Sequence, residues 1–455
     1  MTNHQAPPSS SPPRRFIDLR ANWYSLTRCP DHNLKPVDGL RACSIILVFG
    51  FHVLWCAQLV IRDTYEQFLN LPTWVQVLKR GALGVELFFV ISGFLIGRLL
   101  IQEFQRTGTL DLKRFYIRRF VRLMPAYWVA LGLTAVGVLF TTYPLQVFER
   151  QISSNLDTIW ANLLYVNNFL PANDQFFSHS WSLAVEEQFY LLCPLLLLFI
   201  LRRQLTRFPV QVVALLCASY FATRWYFQAE TMDTIAAYCG GSTERARDAL
   251  LNANLQMMVS KYHACVAAVE FDTLYDNLYT RFFGFIAGIT AALCHVIGFE
   301  RTEAFFKRSA LRYPLALLAL AAMCMPFVDH VAITDNETLY FVSRTLAYPL
   351  LDCGAAYWMM MMIHGGSTLE QRVSRLFSHR WLYPIAQLSY SLYLFHILCI
   401  MGVYQALVAI HPEIQLPALM LIGGTLAWLI SLPGATLVYL CVERPFVEAR
   451  RRWAP

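Results

Sequence analysis

Charge is what this chain has least of. Asp, Glu, Lys and Arg make up 15% of its 455 residues, where a soluble globular domain carries about 25%. With 56% of the chain hydrophobic, a soluble enzyme is excluded, and the chain reads as an all-α, polytopic integral membrane protein. No Gly-rich phosphate loop, internal repeat or soluble domain after the last apolar run is present. P-loop chemistry is thereby excluded. No signal-peptide pattern opens the chain, so the first apolar helix is expected to stay in the mature protein. The 12 cysteines fall mostly inside apolar runs and show no metal-ligand spacing. They read as small buried hydrophobes, and no metal is expected. Cys239 and Cys265 share one polar loop, where a disulfide is open to them if that loop is extracytoplasmic.

Apolar runs at 40–61, 81–102, 124–142, 186–202, 209–227, 281–299, 312–328, 340–363, 384–404 and 416–441 are each close to the length of a membrane span. About ten transmembrane helices are therefore expected. The net charge of +7 is a matter of topology rather than a nucleic-acid footprint. Lys and Arg gather in alternate loops, at 103–123, 203–208, 300–311 and 364–383, and at both ends of the chain. By the positive-inside rule both termini are cytoplasmic, and loops 143–185 and 228–280 lie outside. The first outer loop, with Arg62, Lys79 and Arg80, fits this least well. Residues 1–35 are expected to form a polar cytoplasmic tail, 36–447 the membrane domain and 448–455 a basic tail. Asn336-Glu337-Thr338 matches a glycosylation acceptor in an outer loop, a weak three-residue signal.

Polar residues inside these runs carry the chemical information, because ionisable groups at membrane depth are costly. Arg41 opens the first run and His52 follows eleven positions later. On a helix the two share a face, about 20° apart and about 16 Å apart along the axis. That places a cation at one surface and an imidazole near the midplane. The plain alternative is a snorkelling arginine and a histidine bonded to a neighbouring helix. Glu86 lies within the second run, beside Ser92 and Gly93, which suit a close helix contact. Arg118, Arg119 and Arg122 sit where a basic loop is expected to become the third helix, with Pro125 in its first turn. They either set topology against anionic lipid or hold phosphates of a cytoplasmic ligand in guanidinium forks. Ser182 and Glu186 are four apart and share a helix face. Glu186 and Glu187 also complement the helix dipole. Arg281, Asp352 and His396 complete the set of intramembrane polar groups.

Taken in order, these stretches resemble acyltransferase family 3 of integral membrane O-acyltransferases. The resemblance runs through Asp38-Gly39-Leu40-Arg41 with His52, Phe88-Phe89-Val90-Ile91-Ser92-Gly93-Phe94-Leu95, and the Arg118, Arg119, Arg122, Pro125 and Tyr127 group. It continues through Trp181-Ser182-Leu183 with Glu186-Glu187-Gln188-Phe189-Tyr190, Thr280-Arg281, Ser389-Tyr390-Ser391-Leu392-Tyr393, and Glu443-Arg444-Pro445-Phe446. The resemblance implies transfer of an acyl group, most often acetyl, from cytoplasmic acyl-CoA to a hydroxyl of a cell-surface or secreted carbohydrate. It makes Arg41 and His52 the essential pair and Arg118, Arg119 and Arg122 the donor-binding cluster. Glu86 stands where the family more often has Asp. Some members carry an extra extracytoplasmic hydrolase-like domain. This chain ends soon after the last motif, so direct transfer or a separate extracytoplasmic transferase is expected. The bacterial inner membrane is the expected location, with membrane lipid and a carbohydrate or lipid-linked glycan as partners.

The opening geometry then acquires a purpose. The pantetheine arm of CoA is about as long as the ~16 Å between Arg41 and His52. Arg41 and the 118–122 arginines are expected to hold nucleotide phosphates, and His52 to act as general base or to carry the acyl group. Glu86 is expected to orient His52. Ser182, Glu186, Arg281 and His396 are expected on the substrate side. The rival reading is a transporter or flippase whose charged residues line a substrate path.

Overall fold

The computed structural model describes residues 17–30, 34–61, 71, 75, 77–140, 156–171, 174–204, 209–239, 265, 269–327 and 337–449. Among them the regular structure is entirely helical. The helices used below are α1 (Leu19–Thr27), α2 (Lys35–Val60), α3 (Leu83–Thr107), α4 (Leu112–Phe140), α5 (Trp181–Arg202), α6 (Pro209–Cys239) and α7 (Phe283–Val296). They continue with α8 (Phe299–Arg308), α9 (Arg312–Cys324), α10 (Glu337–His364), α11 (Thr368–Phe377), α12 (Leu382–Ile410) and α13 (Gly424–Val438).

Among the described residues, 7 helices are long and apolar enough to cross a membrane, or 8 if α7 and α8, bent by 94°, form one broken span. Of the ten expected spans, 281–299 meets that measure only as the bent pair, and two others fall short of it. Residues 209–227 belong to α6, where Tyr220, Arg224, Gln228 and Glu230 dilute the apolar run. Residues 312–328 contain α9, whose 13 residues cover about 20 Å of a hydrocarbon core about 30 Å thick. Asn336 lies outside the described residues.

Local chemistry explains the main elements. Helix α2 begins with Pro36 in its first turn, where a missing N–H costs nothing, and carries both Arg41 and His52. Helix α3 stops at Gly108, whose φ of 71° is the left-handed conformation that ends helices. Helix α4 departs from expectation. It starts at Leu112 rather than near 124, so the arginine segment is helical and Pro125 is interior. Proline removes one backbone bond there, and within a packed bundle neighbouring helices accommodate the loss. The consequence is geometric: Arg114, Arg118 and Arg122, spaced by four, form one stripe down α4. Ser367 and Glu370 form a capping box for α11. The expected N-terminal tail contains α1, which Asp18 caps through the Ala21 N–H at 2.9 Å. Asn22 anchors α1 by donating to the Leu440 carbonyl at 2.8 Å.

A close seam joins α3 to α7. A Cβ on Gly93 would stand 2.4 Å from the Phe285 carbonyl oxygen, and one on Gly288 would stand 2.1 Å from that of Val90. Only glycine permits this backbone approach.

Two features tie down the 156–180 and 228–280 segments where they are described. Cys239, at the end of α6, forms a disulfide with Cys265, their Cα atoms 5.7 Å apart. Gln175 donates to Asp276 Oδ2 at 3.0 Å and Asn277 donates to Oδ1 at 3.1 Å. Burial pushes the Asp276 carboxyl up to about 9, from about 3.9 in an unfolded chain. The neutral acid is thus favoured by folding. Its contribution to stability is complete below about pH 4 and is lost as pH climbs toward 9. Asp276→Asn keeps the shape and cannot ionise. Its melting temperature is expected to fall less than the wild type's between about pH 5 and pH 8; parallel curves would refute the assignment.

Candidate active site

A cavity of about 610 Å³ lies between α2, α3, α4, α5 and α12. Its basic wall includes Arg41 from α2, Arg98 from α3 and the stripe Arg114, Arg118 and Arg122 with Arg119 from α4. All three arginines of the 118–122 segment therefore meet in one space with Arg41. Arg41 donates from Nη2 to Ser389 Oγ at 3.0 Å. The Arg119 guanidinium stacks over the Tyr190 ring at 4.9 Å, a cation–π contact that fixes its plane.

Deeper in the same cavity the wall becomes hydroxylic. Glu186 accepts hydrogen bonds from Ser92 Oγ and from Tyr190 OH. Ser182 Oγ and Tyr393 OH share a hydrogen bond of 2.5 Å, and Tyr393 OH donates to the His179 carbonyl at 2.6 Å. Ser182 and Glu186 thus lie on the same wall as the arginines, one helical turn apart on α5.

Beyond Tyr393 stand three histidines. The Tyr393 ring is 5.7 Å from that of His396, and His179 is 5.9 Å from His396. His396 Nε2 is 3.0 Å from His52 Nδ1. The proton positions follow from the partners. His396 Nδ1 faces the Tyr393 carbonyl at 2.7 Å and the Leu392 carbonyl at 3.1 Å. Carbonyl oxygens only accept, so Nδ1 carries hydrogen and Nε2 of the neutral ring keeps its lone pair. His52 Nδ1 faces that lone pair and the Val48 carbonyl at 2.9 Å, so it too carries hydrogen. His52 Nε2 is left as the unprotonated nitrogen, the one available to accept a proton.

Glu86 is placed elsewhere, in a departure from the expected orienting contact with His52. Its carboxylate pairs with Arg281 Nη1 at 2.8 Å, both side chains 1% exposed. The Arg281 guanidinium is sandwiched between Tyr275 at 4.3 Å and Tyr348 at 4.2 Å. Asp352 and Arg224 share this buried group. Position 86 falls on the face of α3 turned toward the Thr280-Arg281 turn, not toward α2. His396 stands beside His52 where Glu86 was expected, and Arg281 holds a carboxylate rather than facing the cavity. Arg98, Ser92, Tyr190 and Tyr393 belong to the same wall, a grouping that residue spacing alone does not show. Tyr393 carried a faint signal, three residues before His396 and on the same side of α12.

A family described as "Acyltransferase domain" matches residues 35–442 of this chain. The chain is 35% identical over 189 residues to the peptidoglycan O-acetyltransferase OatA of Listeria monocytogenes, covering 39% of this chain and 26% of that protein. It is 38% identical over 192 residues to the O-acetyltransferase OatA of Staphylococcus aureus (strain NCTC 8325 / PS 47), covering 40% and 27% respectively. The aligned segments thus span about a quarter of those relatives' length. No solved structure matches.

Proposed function

This chain belongs to acyltransferase family 3, and on that premise we propose that it moves an acetyl group from cytoplasmic acetyl-CoA to a hydroxyl of a cell-envelope carbohydrate. One observation carries the reading: a cavity with arginines along its wall reaches Tyr393, whose ring lies against the histidine that holds His52. A CoA ester has the same layout, with anionic phosphates at one end and a thin arm leading to a reactive thioester. The O-acetyltransferase names of the relatives support acetyl as the acyl group and a carbohydrate as acceptor.

In this scheme Arg41 and the 118–122 arginines bind the nucleotide phosphates by charge-assisted forks. The pantetheine arm passes Ser92, Glu186 and Ser182 and brings the thioester past Tyr393 to His52. His52 Nε2 takes the proton of the acceptor hydroxyl as its oxygen attacks the thioester carbonyl. The tetrahedral intermediate expels the CoA thiolate, which recovers the proton from the His52 imidazolium. His396 Nε2 holds the His52 Nδ1–H throughout, as a positioning residue. Glu86 and Arg281 act at a distance, by holding α3 against the 278–281 turn.

The disulfide between Cys239 and Cys265 suits an oxidising compartment. With the basic loops opposite it, the disulfide supports a topology with both termini cytoplasmic, in a bacterial inner membrane. The test compares glycans extracted from cells with and without the protein. Acetyl increments that require both the protein and acetyl-CoA are expected. Glycan movement across vesicles with no acetyl-CoA consumed would instead establish a transporter.

A further inference from the structure

The cavity is more basic than a single pyrophosphate calls for. Its wall carries seven arginines (positions 41, 98, 106, 114, 118, 119 and 122) against two carboxylates, Glu103 and Glu186. Like charges four apart on a helix repel, and a ligand with several negative charges on the α4 stripe would relieve that repulsion. That stripe descends eight residues from Arg114 to Arg122, about 12 Å. Arg41 and Arg119, toward the hydroxylic end, already have partners in Ser389 and the Tyr190 ring. Arg114, in the first turn of α4 at the opposite end, differs. Its Nε is shielded from solvent and has no hydrogen-bond partner among the described residues, a state it shares with Arg98 Nε on the facing helix. One oxygen of each nearby carboxylate is engaged by backbone: Asp111 Oδ1 accepts from the Arg114 N–H at 2.9 Å, and Glu103 Oε1 accepts from the Asp111 N–H at 3.1 Å. These bonds also hold the backbone under Arg114 in place.

Resting on the acyl-CoA reading of the cavity, we propose that Arg114 forms a second anion subsite, for the 3′-phosphomonoester on the ribose of CoA. A guanidinium fork facing a phosphomonoester dianion makes charge-assisted, bidentate hydrogen bonds. The subsite sits at the mouth while the pyrophosphate lies deeper on the stripe. The donor is thereby selected as a 3′-phosphorylated nucleotide, against dephospho-CoA and against phosphopantetheine on a carrier protein, which lack that group.

The experiment measures binding of CoA and of 3′-dephospho-CoA to the full-length protein in phosphatidylcholine nanodiscs. Wild type is expected to bind CoA about 10-fold or more tightly than dephospho-CoA. Arg114→Gln is expected to erase that preference by weakening CoA alone, and Arg114→Lys to restore part of it. Equal wild-type affinities, or an Arg114→Gln loss shared by both nucleotides, would overturn the subsite and leave the acyl-CoA reading standing. Binding of neither nucleotide would overturn the acyl-CoA reading itself. Loss of the CoA preference when phosphatidylglycerol replaces phosphatidylcholine would assign Arg114 to a lipid headgroup and overturn the proposal.

Discussion

His52→Ala is expected to fold, bind acetyl-CoA with wild-type affinity and lose acetyl transfer by about 10²–10⁴-fold, the usual worth of a positioned general base. Folding should survive because the imidazole's bonds are few and replaceable. His52 donates to the Val48 carbonyl and to His396. The former is one turn back on its own helix and already serves the helix ladder. Donor affinity should survive because the arginines proposed to bind the phosphates are on α4 and at position 41, roughly 16 Å along α2 from His52. The measurement is acetyl transfer and CoA binding on the same purified variant in lipid. Transfer at the wild-type rate by a folded His52→Ala protein would remove His52 from the mechanism. Loss of CoA binding together with transfer would mean that the histidine supports the cavity rather than the chemistry. His396→Gln separates positioning from catalysis. It should lower the rate and alter its pH profile while leaving CoA affinity unchanged, because among the described residues the ring nitrogens of His396 meet only His52 and backbone carbonyls.

Arg281→Ala is expected to be among the most destabilising single substitutions in the chain, at about 3–5 kcal/mol, the cost of leaving a buried charge without its partner. Arg281 and Glu86 are both 1% exposed and bonded at 2.8 Å. Removing the guanidinium takes away the ion-pair partner of Glu86, beside a second buried acid, Asp352, and leaves Arg224 as the remaining nearby cation. It also empties the space between Tyr275 and Tyr348. The readout is thermal unfolding in detergent together with expression level. The charge argument makes a sharper demand. Adding Glu86→Gln to Arg281→Ala should recover a substantial part of the loss, since the stranded charge is gone. A double variant as unstable as the sum of the two singles would show that packing around Tyr275 and Tyr348, not charge, carries the effect.

Much of this protein was legible in its residues one helix at a time. The apolar runs located the membrane helices, and the spacing of Arg41 and His52 put both on one helix. The Gly93 close contact was foreseen from the small residues beside it. The third helix was misjudged at its start. A basic segment followed by proline reads as a loop and a first turn, yet the bundle extends the helix back to Leu112. That extension aligns Arg114, Arg118 and Arg122. The partner of His52 was misjudged as well. Glu86 was expected beside His52, where His396 stands.

The amino-acid sequence by itself determined the class of protein, the basic and apolar division of its loops and helices, and which polar residues are buried at a cost. Those properties depend on composition and on the helical repeat, both local. Only the tertiary structure decided which of those residues meet. His396 reaches His52 from 344 positions away, and Arg281 claims Glu86 by arriving from another helix pair. Helical periodicity tells which residues share a face, but the identity of the opposing face is set by how whole helices pack. At the Gly93–Gly288 seam the backbones pack so closely that an added Cβ would fall within 3 Å of the opposing backbone; in that packing Glu86 meets Arg281 and His52 meets a second histidine.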